Sequence, residues 1–155
     1  MNIESIGTVN KEENGFSIHL DQKLAPGLTG LEGFSHLQIV WWAHLADDKE
    51  FRNKLIFEKL FKKGPAQTGV FATRAPSRPN PIMVSTIKIT GIDFEKGKIY
   101  TPFIDAEPGT PVLDIKPYHP MERVQHCEVP EHRRHWPQWW EEAATFNWKE
   151  EIMGV

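Results

Sequence analysis

Cysteine is scarce in this sequence, which also has no long apolar stretch and no excess of positive charge. The one cysteine, Cys127, excludes an intramolecular disulfide and is typical of a reducing compartment. No apolar run approaches the roughly 20 residues that a membrane-spanning helix needs. The first residues, MNIESIGTVNKEENGF, lack the basic start and apolar stretch of a signal peptide. We therefore expect a soluble, cytoplasmic protein with no membrane partner.

The charge balance argues against a protein that binds nucleic acid through its overall charge. Its 18 Lys and Arg residues and 21 Asp and Glu residues give a net charge of −3, so any RNA contact must come from a local patch. The Gly-x-Gly-x-x-Gly signature of a Rossmann nucleotide site is also absent. With no internal repeat or low-complexity linker, we assign one domain, residues 1–155, with a core at 3–118 and a C-terminal extension at 119–155.

Short segments of alternating hydrophobicity, separated by turns, dominate what is present. Strands are predicted at residues 3–9, 16–21, 37–45, 68–74, 83–95, 98–105 and 111–118, the third of them buried on both faces. Residues 47–63 change to a helical period, with Asp47 or Asp48 as a cap, and a short C-terminal helix is predicted at 137–146. The pattern favours a mainly β fold, an antiparallel β-barrel with one inserted α-helix and a short C-terminal helix.

The stretch GVFATRAPSRPNPI combines two arginines with three prolines. Arg74 and Arg78 offer planar, bidentate donors that suit carboxylates and phosphates, and the prolines reduce the entropy that a ligand must remove on binding. Asn80 precedes a proline and is expected to be extended, so that its amide could read a base or a sugar edge. A rigid surface loop whose arginines pair with nearby acids explains these residues about equally well.

A second group of polar residues follows in DAEPGTPVLDIKPY. Gly109 allows a ligand to approach the backbone closely, and Thr110 adds a hydroxyl. On a strand, Asp114, Lys116 and Tyr118 share one face because they are two residues apart. A carboxylate, an amine and a phenol side by side would form an acid–base and positioning surface. A solvated strand face with a surface ion pair is the equally weighted alternative.

The C-terminal part of the chain contains four potential metal ligands, His126, Cys127, His132 and His135. Their spacing matches no standard zinc site, so no metal is predicted. The segment RRHWPQWW mixes arginine with tryptophan, as single-stranded RNA sites do. Because Trp136 and Trp140 are four residues apart, a helix that docks its aromatic face on the barrel is the favoured interpretation.

Three motifs in collinear order, GLEGFSHLQIVWW, GVFATRAPSRPNPI and GTPVLDIKPY, resemble the TsaA/TrmO family, and the similarity extends over about residues 3–118. The resemblance implies an S-adenosylmethionine-dependent methyltransferase that uses a β-barrel in place of a Rossmann domain and works as a homodimer. The implied acceptor is the exocyclic amino nitrogen of N6-threonylcarbamoyladenosine next to the tRNA anticodon. The expected partner is therefore the anticodon loop of tRNA.

The resemblance also implies roles for individual residues. Cofactor contacts are implied for His44 at the end of its strand, Arg74, Asn80, Met83, Val84, Glu107, Pro108, Gly109 and Thr110. Asp105, Asp114 and Tyr118 are the candidate catalytic residues, which would orient the accepting amine. Arg78 and Lys116 are the implied substrate-binding residues.

The chain departs from the family pattern at several positions. Met83 stands where the family usually has glycine, Pro108 replaces the aspartate of an Asp-Gly-Thr-Pro turn, and the long loop after the first strand is reduced to NKEEN. The extra C-terminal domain of the longer bacterial members is not expected here. Two alternatives therefore stay open: a methyltransferase for a small molecule, and a non-catalytic S-adenosylmethionine-binding module.

Overall fold

The computed structural model of the protein describes residues 2–154, so residues 1 and 155, the two ends of the predicted domain, lie outside the described part. The strands in this range are β1 Gly7–Glu12, β2 Gly15–Leu20, β3 His36–Trp42, β4 Ile56–Glu58, β5 Gln67–Gly69, β6 Ile82–Lys88, β7 Gly91–Asp93, β8 Lys98–Thr101 and β9 Pro111–Pro117.

One α-helix, α1 (Lys49–Asn53), occurs in the same range. It is accompanied by 3₁₀ turns at Gln22–Leu28, His44–Ala46, Val70–Ala72, Pro120–Glu122, Glu131–Arg133, Trp140–Ala144 and Trp148–Glu150. Across residues 2–154, none of the helices has the length and apolar character needed to span a membrane.

Seven of the strands form one antiparallel sheet in the order β6-β3-β9-β1-β2-β8-β7, and β4 pairs with β5 in a separate antiparallel ladder. The predicted mainly β, antiparallel class is confirmed. A closed barrel is not detected, because the outer strands β6 and β7 do not pair with each other within the described residues. The barrel therefore stays a prediction.

One continuous chain segment nevertheless reaches both edges of the sheet. The Ile89 amide donates to the Ser35 carbonyl at 2.9 Å, which extends the β3–β6 ladder. The next amide, that of Thr90, donates to the Tyr100 carbonyl at 2.9 Å, on β8. The predicted single strand 83–95 is thus two strands, β6 and β7, which lie at opposite ends of the strand order.

Alternation along the strands decides which side chains fill the core. Leu37, Ile39 and Trp41 of β3 face inward and are buried, and Ile87 of β6 is buried opposite Leu37. The residues between them on β3 are only half buried. The prediction that residues 37–45 are buried on both faces is therefore not met in the single chain.

The predicted helix 47–63 is much shorter in the structure. Asp48 caps α1 as expected, because its carboxylate accepts the Phe51 amide at 2.9 Å. The helix ends at Asn53, and the chain then enters β4, which pairs with β5. Strand pairing has thus overridden the helical period in the second half of this segment.

Packing by the C-terminal extension gives a reason for this change. Phe61 is buried and packs against Trp136, with ring centroids 5.7 Å apart, and Trp136 packs edge-on against Trp148 at 5.2 Å. The Lys62 amide donates to the Glu151 carbonyl at 2.9 Å. The favoured aromatic docking is observed in two places: Trp136 packs on the segment that follows β4, whereas Trp140 contacts the large sheet, with its ring centroid 5.1 Å from that of His36 on β3.

The remaining differences concern where predicted elements begin and end. The first strand begins at Gly7, the strand predicted at 68–74 ends at Gly69, the strand predicted at 98–105 ends at Thr101, and the helix predicted at 137–146 is the 3₁₀ turn Trp140–Ala144. Proline accounts for one of these limits, because Pro102 follows β8 and cannot donate to a strand ladder.

The Glu151 carboxylate is 5% exposed and is held by several donors of the extension and its docking segment. His135 Nε2 lies 2.9 Å away, and Lys63 Nζ and Trp136 Nε1 each lie 3.2 Å away. Hydrogen bonding from His135, with further bonds from Trp136 and Lys63, lowers the pKa of Glu151 to about 2. The folded protein therefore favours the ionised carboxylate.

We predict that Glu151→Gln lowers the melting temperature in a pH-dependent way. Because the folded-state pKa of Glu151 lies below its ordinary value of 4.5, the stabilisation is complete above about pH 4.5 and is lost as the pH falls towards about 2. Thermal unfolding at about pH 6 and about pH 3 should show the larger difference between wild type and variant at pH 6. The exposed neighbour Glu150→Gln is the control, and an equal difference at both pH values would contradict the prediction.

Candidate functional site

The turn that precedes β9 is intact in spite of its proline. The Thr110 amide donates to the Glu107 carbonyl at 3.1 Å, and Gly109 has a φ of 84°. Proline at the second position and glycine with positive φ at the third are the residues that a type II turn prefers. Proline has no backbone N–H, but a turn of this type does not use the N–H of its second residue. Pro108 is therefore compatible with the turn.

Backbone hydrogen bonds to β1 fix this turn. The Gly109 amide donates to the Val9 carbonyl at 2.7 Å, and the Val9 amide donates to the Thr110 carbonyl at 2.9 Å. The buried Thr110 hydroxyl lies 3.3 Å from His44 Nδ1. His44 belongs to a 3₁₀ turn and not to the predicted strand, since β3 ends at Trp42. The structure thus brings two predicted cofactor contacts, His44 and Thr110, together.

A chain of hydrogen bonds runs from the core to Asp105. The indole N–H of Trp41 donates to the Ser85 hydroxyl at 2.7 Å, and that hydroxyl donates to a carboxylate oxygen of Asp105. Trp41 and Ser85 are buried, whereas Asp105 is exposed. The buried Ser85 hydroxyl therefore positions the Asp105 carboxylate, which stays accessible to solvent.

Neither Trp41 nor Ser85 is among the predicted site residues. The signal that could have identified Ser85 is its place in β6, where a serine occupies an inward position next to the inward Ile87. A hydroxyl buried on an apolar face needs hydrogen-bond partners, and here they are Trp41 and Asp105.

Asp105 lies in an open cleft of about 400 Å³. The residues that line it are Lys11, Phe16, Phe103, Ile104, Asp105, Ala106, Glu107 and Pro108. Two carboxylates and two aromatic rings thus border one space, and Lys11 Nζ lies 4.1 Å from the centroid of the Phe16 ring. Sequence reasoning missed Lys11, Phe16 and Phe103, because nothing local shows that the β1–β2 hairpin reaches the turn before β9.

Both arginines of the proline-rich loop donate to backbone carbonyls. The Arg74 guanidinium donates to the Val84 carbonyl of β6, and Arg78 Nη1 donates to the carbonyls of Thr73 at 3.3 Å and Ala75 at 3.2 Å. Within residues 2–154, neither arginine forms an ion pair with an acidic side chain, in contrast to the alternative interpretation. The two guanidinium groups instead shape the loop and fix it on the sheet.

Arg52 of α1 is hydrogen-bonded to the same proline-rich loop. Its Nε donates to the Pro79 carbonyl at 3.0 Å, and its Nη1 donates to Asp47 at 2.9 Å. A hydrogen bond from the Trp42 indole, together with Arg52, lowers the pKa of Asp47. Asn80 accepts a long hydrogen bond from Arg52 at 3.4 Å and lines a second cleft of about 430 Å³. Arg52 was not predicted, because its segment was assigned to a helix with an apolar face.

The three predicted catalytic residues do not lie together. Asp105 is bonded to Ser85, whose side chain is on the inner face of β6. Asp114 stands opposite Val40 on the outer face of the sheet. Tyr118 is half buried just beyond β9 and is tied by its amide to the His36 carbonyl at 3.0 Å. The sheet therefore separates Asp105 from Asp114.

The other residues of β6 and β9 are also divided between the two faces. Lys116 shares the outer face with Asp114, as predicted, and donates to it at 2.7 Å, which raises the pKa of Lys116. This is the surface ion pair of the alternative interpretation. Met83 lies opposite Trp41 on the inner face, whereas Val84 lies on the outer face.

A polar cluster in the β1–β2 hairpin has the residue types of a hydrolase relay but not its geometry. Ser17 Oγ lies 2.8 Å from His19 Nε2, and Glu12 lies 3.5 Å from the same nitrogen. In a serine hydrolase the acid bonds the other ring nitrogen, and Ser17 is fully buried. Within residues 2–154, no group of three His, Cys, Asp or Glu side chains is placed to hold a metal ion.

Comparison with known proteins assigns the motifs of this site to a family. The model of the tRNA-methyltransferase O N-terminal domain matches residues 6–122. The chain belongs to the TrmO family. The proline-rich loop, the turn before β9 and the Asp105 cleft all lie within the matched part, whereas most of the C-terminal extension lies beyond it.

Several known proteins are similar to this chain over different shares of its length. A probable S-adenosyl-L-methionine-binding protein of Pyrococcus horikoshii is 40% identical over 114 residues, 74% of this chain and 79% of that protein. Human tRNA (adenine(37)-N6)-methyltransferase is 44% identical over 91 residues, 59% of this chain and 20% of that protein. The crystal structure of TrmO from P. aeruginosa is similar in fold, with a TM-score of 0.63 and 27% sequence identity. The similarity covers 84% of this chain and 61% of that TrmO chain.

We predict that Ser85→Ala destabilises this TrmO-family protein by about 1–3 kcal/mol, because the buried Trp41 indole N–H loses its acceptor. In a Trp41→Phe background the same change should cost much less, since no donor is left unpaired. Urea denaturation of the wild type, both single variants and the double variant measures this coupling. Simply additive losses would show that the Trp41–Ser85 bond does not have this role.

Proposed function

We propose that this protein is an S-adenosylmethionine-dependent methyltransferase. Membership of the TrmO family supports the proposal, as do relatives named S-adenosyl-L-methionine-binding protein and tRNA methyltransferase. The structural observation that carries it is the cleft in which Asp105, anchored by Ser85, stands beside Glu107 and two aromatic rings.

The Asp105 cleft suits the chemistry of this cofactor. S-adenosylmethionine combines a planar adenine, a carboxylate and two positive groups, the sulfonium and the amine. Phe16 and Phe103 offer aromatic surface for the adenine, Asp105 and Glu107 favour the positive charges, and Lys11 is available for the carboxylate. The volume of about 400 Å³ is within the range of small-molecule sites.

The loop and the turn would supply the remaining cofactor contacts. We propose this role for His44, Arg74, Asn80, Met83, Val84, Pro108, Gly109 and Thr110. The His44–Thr110 contact and the bonds of the turn to β1 support it, because they give this part of the site a fixed backbone before any ligand binds. Asn80 and Val84 lie away from the Asp105 cleft and would contact a ligand that extends beyond it.

The cofactor, when bound, supplies an already activated methyl group, so the main task of the protein is alignment. We propose that Asp105 would accept a hydrogen bond from the accepting amine and take its proton, while the methyl group would exchange its bond to the sulfonium sulfur for a bond to the nitrogen and a neutral thioether would leave. Asp114 lies across the sheet from Asp105, so Asp114 and Tyr118 would orient the amine in place of Asp105 only if the substrate bound at the outer face.

We propose the amino nitrogen of N6-threonylcarbamoyladenosine next to the tRNA anticodon as the methyl acceptor. The name of the human relative, a tRNA (adenine(37)-N6)-methyltransferase, supports this choice. The chain offers cations for phosphate contacts in spite of its net charge of −3, notably Arg78, Lys88 and Lys116. The name of the archaeal relative favours the second candidate, a non-catalytic binding module.

We also propose that the protein works as a homodimer. On the outer face of the sheet, Val40 stands opposite Val84 and Trp42 stands opposite Ile82, and these apolar side chains are half buried or exposed in the single chain. A strand with apolar residues on both faces is typical of a sheet that is covered on both sides, and a second subunit would provide the cover.

Methyl transfer into tRNA tests the proposed function. The protein is incubated with S-adenosylmethionine labelled in its methyl group and with tRNA that carries N6-threonylcarbamoyladenosine without the methyl group. We expect label in this tRNA and little in tRNA that lacks the threonylcarbamoyl group. We also expect transfer to weaken steeply with salt, because phosphate contacts are screened, and light scattering to give the mass of two chains.

The outcomes separate the candidate functions. Cofactor binding in calorimetry without label in either tRNA would reject tRNA methylation, and the small-molecule enzyme or the binding module would take its place. A folded protein that binds no S-adenosylmethionine would contradict the whole proposal.

A further inference from the structure

The C-terminal extension lies mostly outside the part of the chain that matches the family model, yet it contacts the loop that carries Arg74. Two of its side chains, Arg133 and Trp140, donate hydrogen bonds to backbone carbonyls on either side of that loop. The extension is therefore more than a cover for the β4–β5 hairpin.

Arg133 joins the extension to the chain two residues before Arg74. Its Nη2 donates to the Ala72 carbonyl at 3.1 Å. Its guanidinium carbon lies 4.1 Å from the ring centroid of Phe61 and 5.5 Å from that of Trp136. Contact with two rings restricts the plane of the guanidinium, so the direction of its bond to Ala72 is fixed.

Trp140 and Arg74 occupy adjacent places on the edge of β6. The Trp140 indole N–H donates to the Thr86 carbonyl at 3.0 Å, and Arg74 donates to the Val84 carbonyl. Alternate residues of an antiparallel strand direct their carbonyls to the same side. The Arg74 side chain is thus confined between two attachments of the extension, at Ala72 and at Thr86.

From these contacts we infer that Arg133 is a positioning residue for Arg74. By holding the Ala72 carbonyl, it fixes the start of the proline-rich loop and keeps the Arg74 guanidinium in place on β6. The inference rests on the proposed function, because that function gives Arg74 a cofactor contact. The C-terminal extension would thus help to position a residue of the binding site, although Arg133 lies outside residues 6–122 that match the family model.

Calorimetric titration of the full chain with S-adenosylmethionine measures this role. We expect Arg133→Ala to raise Kd about 3- to 10-fold. Arg133→Lys should restore part of the affinity, since lysine keeps a donor but lacks the planar group that packs on the rings. Arg123→Ala is the matched control, because this exposed arginine donates to Pro120 within its own turn, and its Kd should equal that of the wild type.

A double variant distinguishes positioning from a general loss of stability. If Arg133 acts through Arg74, Arg133→Ala should have little further effect on Kd once Arg74→Ala is present. A general loss of stability would weaken binding to the same degree in both backgrounds. Additive effects, or an unchanged Kd in Arg133→Ala, would overturn the inference.

Amide hydrogen exchange, measured on the protein without cofactor, tests the role of Arg133 independently of the proposed function. Arg133→Ala should speed exchange of the amides of Thr73 and Ala75, which bond to the Val70 carbonyl and the Thr73 hydroxyl, while the amides of β3 keep their wild-type rates. If the wild type binds no S-adenosylmethionine, the proposed function fails, and exchange still decides whether Arg133 fixes the loop. Unchanged rates in the loop would then overturn that role as well.

Discussion

The backbone carbonyls on the outer edge of β6 must find hydrogen-bond donors, and the positions of the loop, the extension and the cleft depend on how they do so. Backbone carbonyls on the edge of a sheet need donors, and a bare edge can pair with another chain. Within the described residues β6 pairs with β3 alone, and Arg74 and Trp140 supply donors to the carbonyls of Val84 and Thr86 on its other side. The proline-rich loop and the C-terminal extension are therefore anchored on the same strand edge.

The inner face of the same strand sets the position of the cleft carboxylate. Ser85 lies between the two carbonyls that accept from Arg74 and Trp140, and its side chain accepts from Trp41 and donates to Asp105. A one-residue slip of β6 would turn Ser85 to the outer face. That slip would leave the Trp41 indole unpaired and release Asp105, so the register of β6 against β3 links the stability of the core to the geometry of the cleft.

Local rules account for what could be predicted from the sequence. Period-2 alternation identified most strands, the cap at Asp48 follows from its neighbours, and the pair Pro108-Gly109 specifies its own turn. The helix that was predicted to extend to residue 63 failed, because Phe61 finds its partners in the distant C-terminal extension. For the site, the motifs identified polar residues and their spacing along the chain. They could not show that Asp105 and Asp114 lie on opposite faces, since that depends on pairing between distant strands.

The most direct test of this account compares two ligands in one calorimetric experiment. S-adenosylmethionine carries a positive sulfonium, whereas S-adenosylhomocysteine lacks the methyl group on sulfur and is neutral there, and the rest of the two molecules is the same. If Asp105 is held in the cleft to favour that charge, Asp105→Asn should weaken binding of S-adenosylmethionine by about 5- to 10-fold and binding of S-adenosylhomocysteine much less. An equal change for both ligands would contradict the role of Asp105, and binding of neither ligand by the wild type would contradict the site itself.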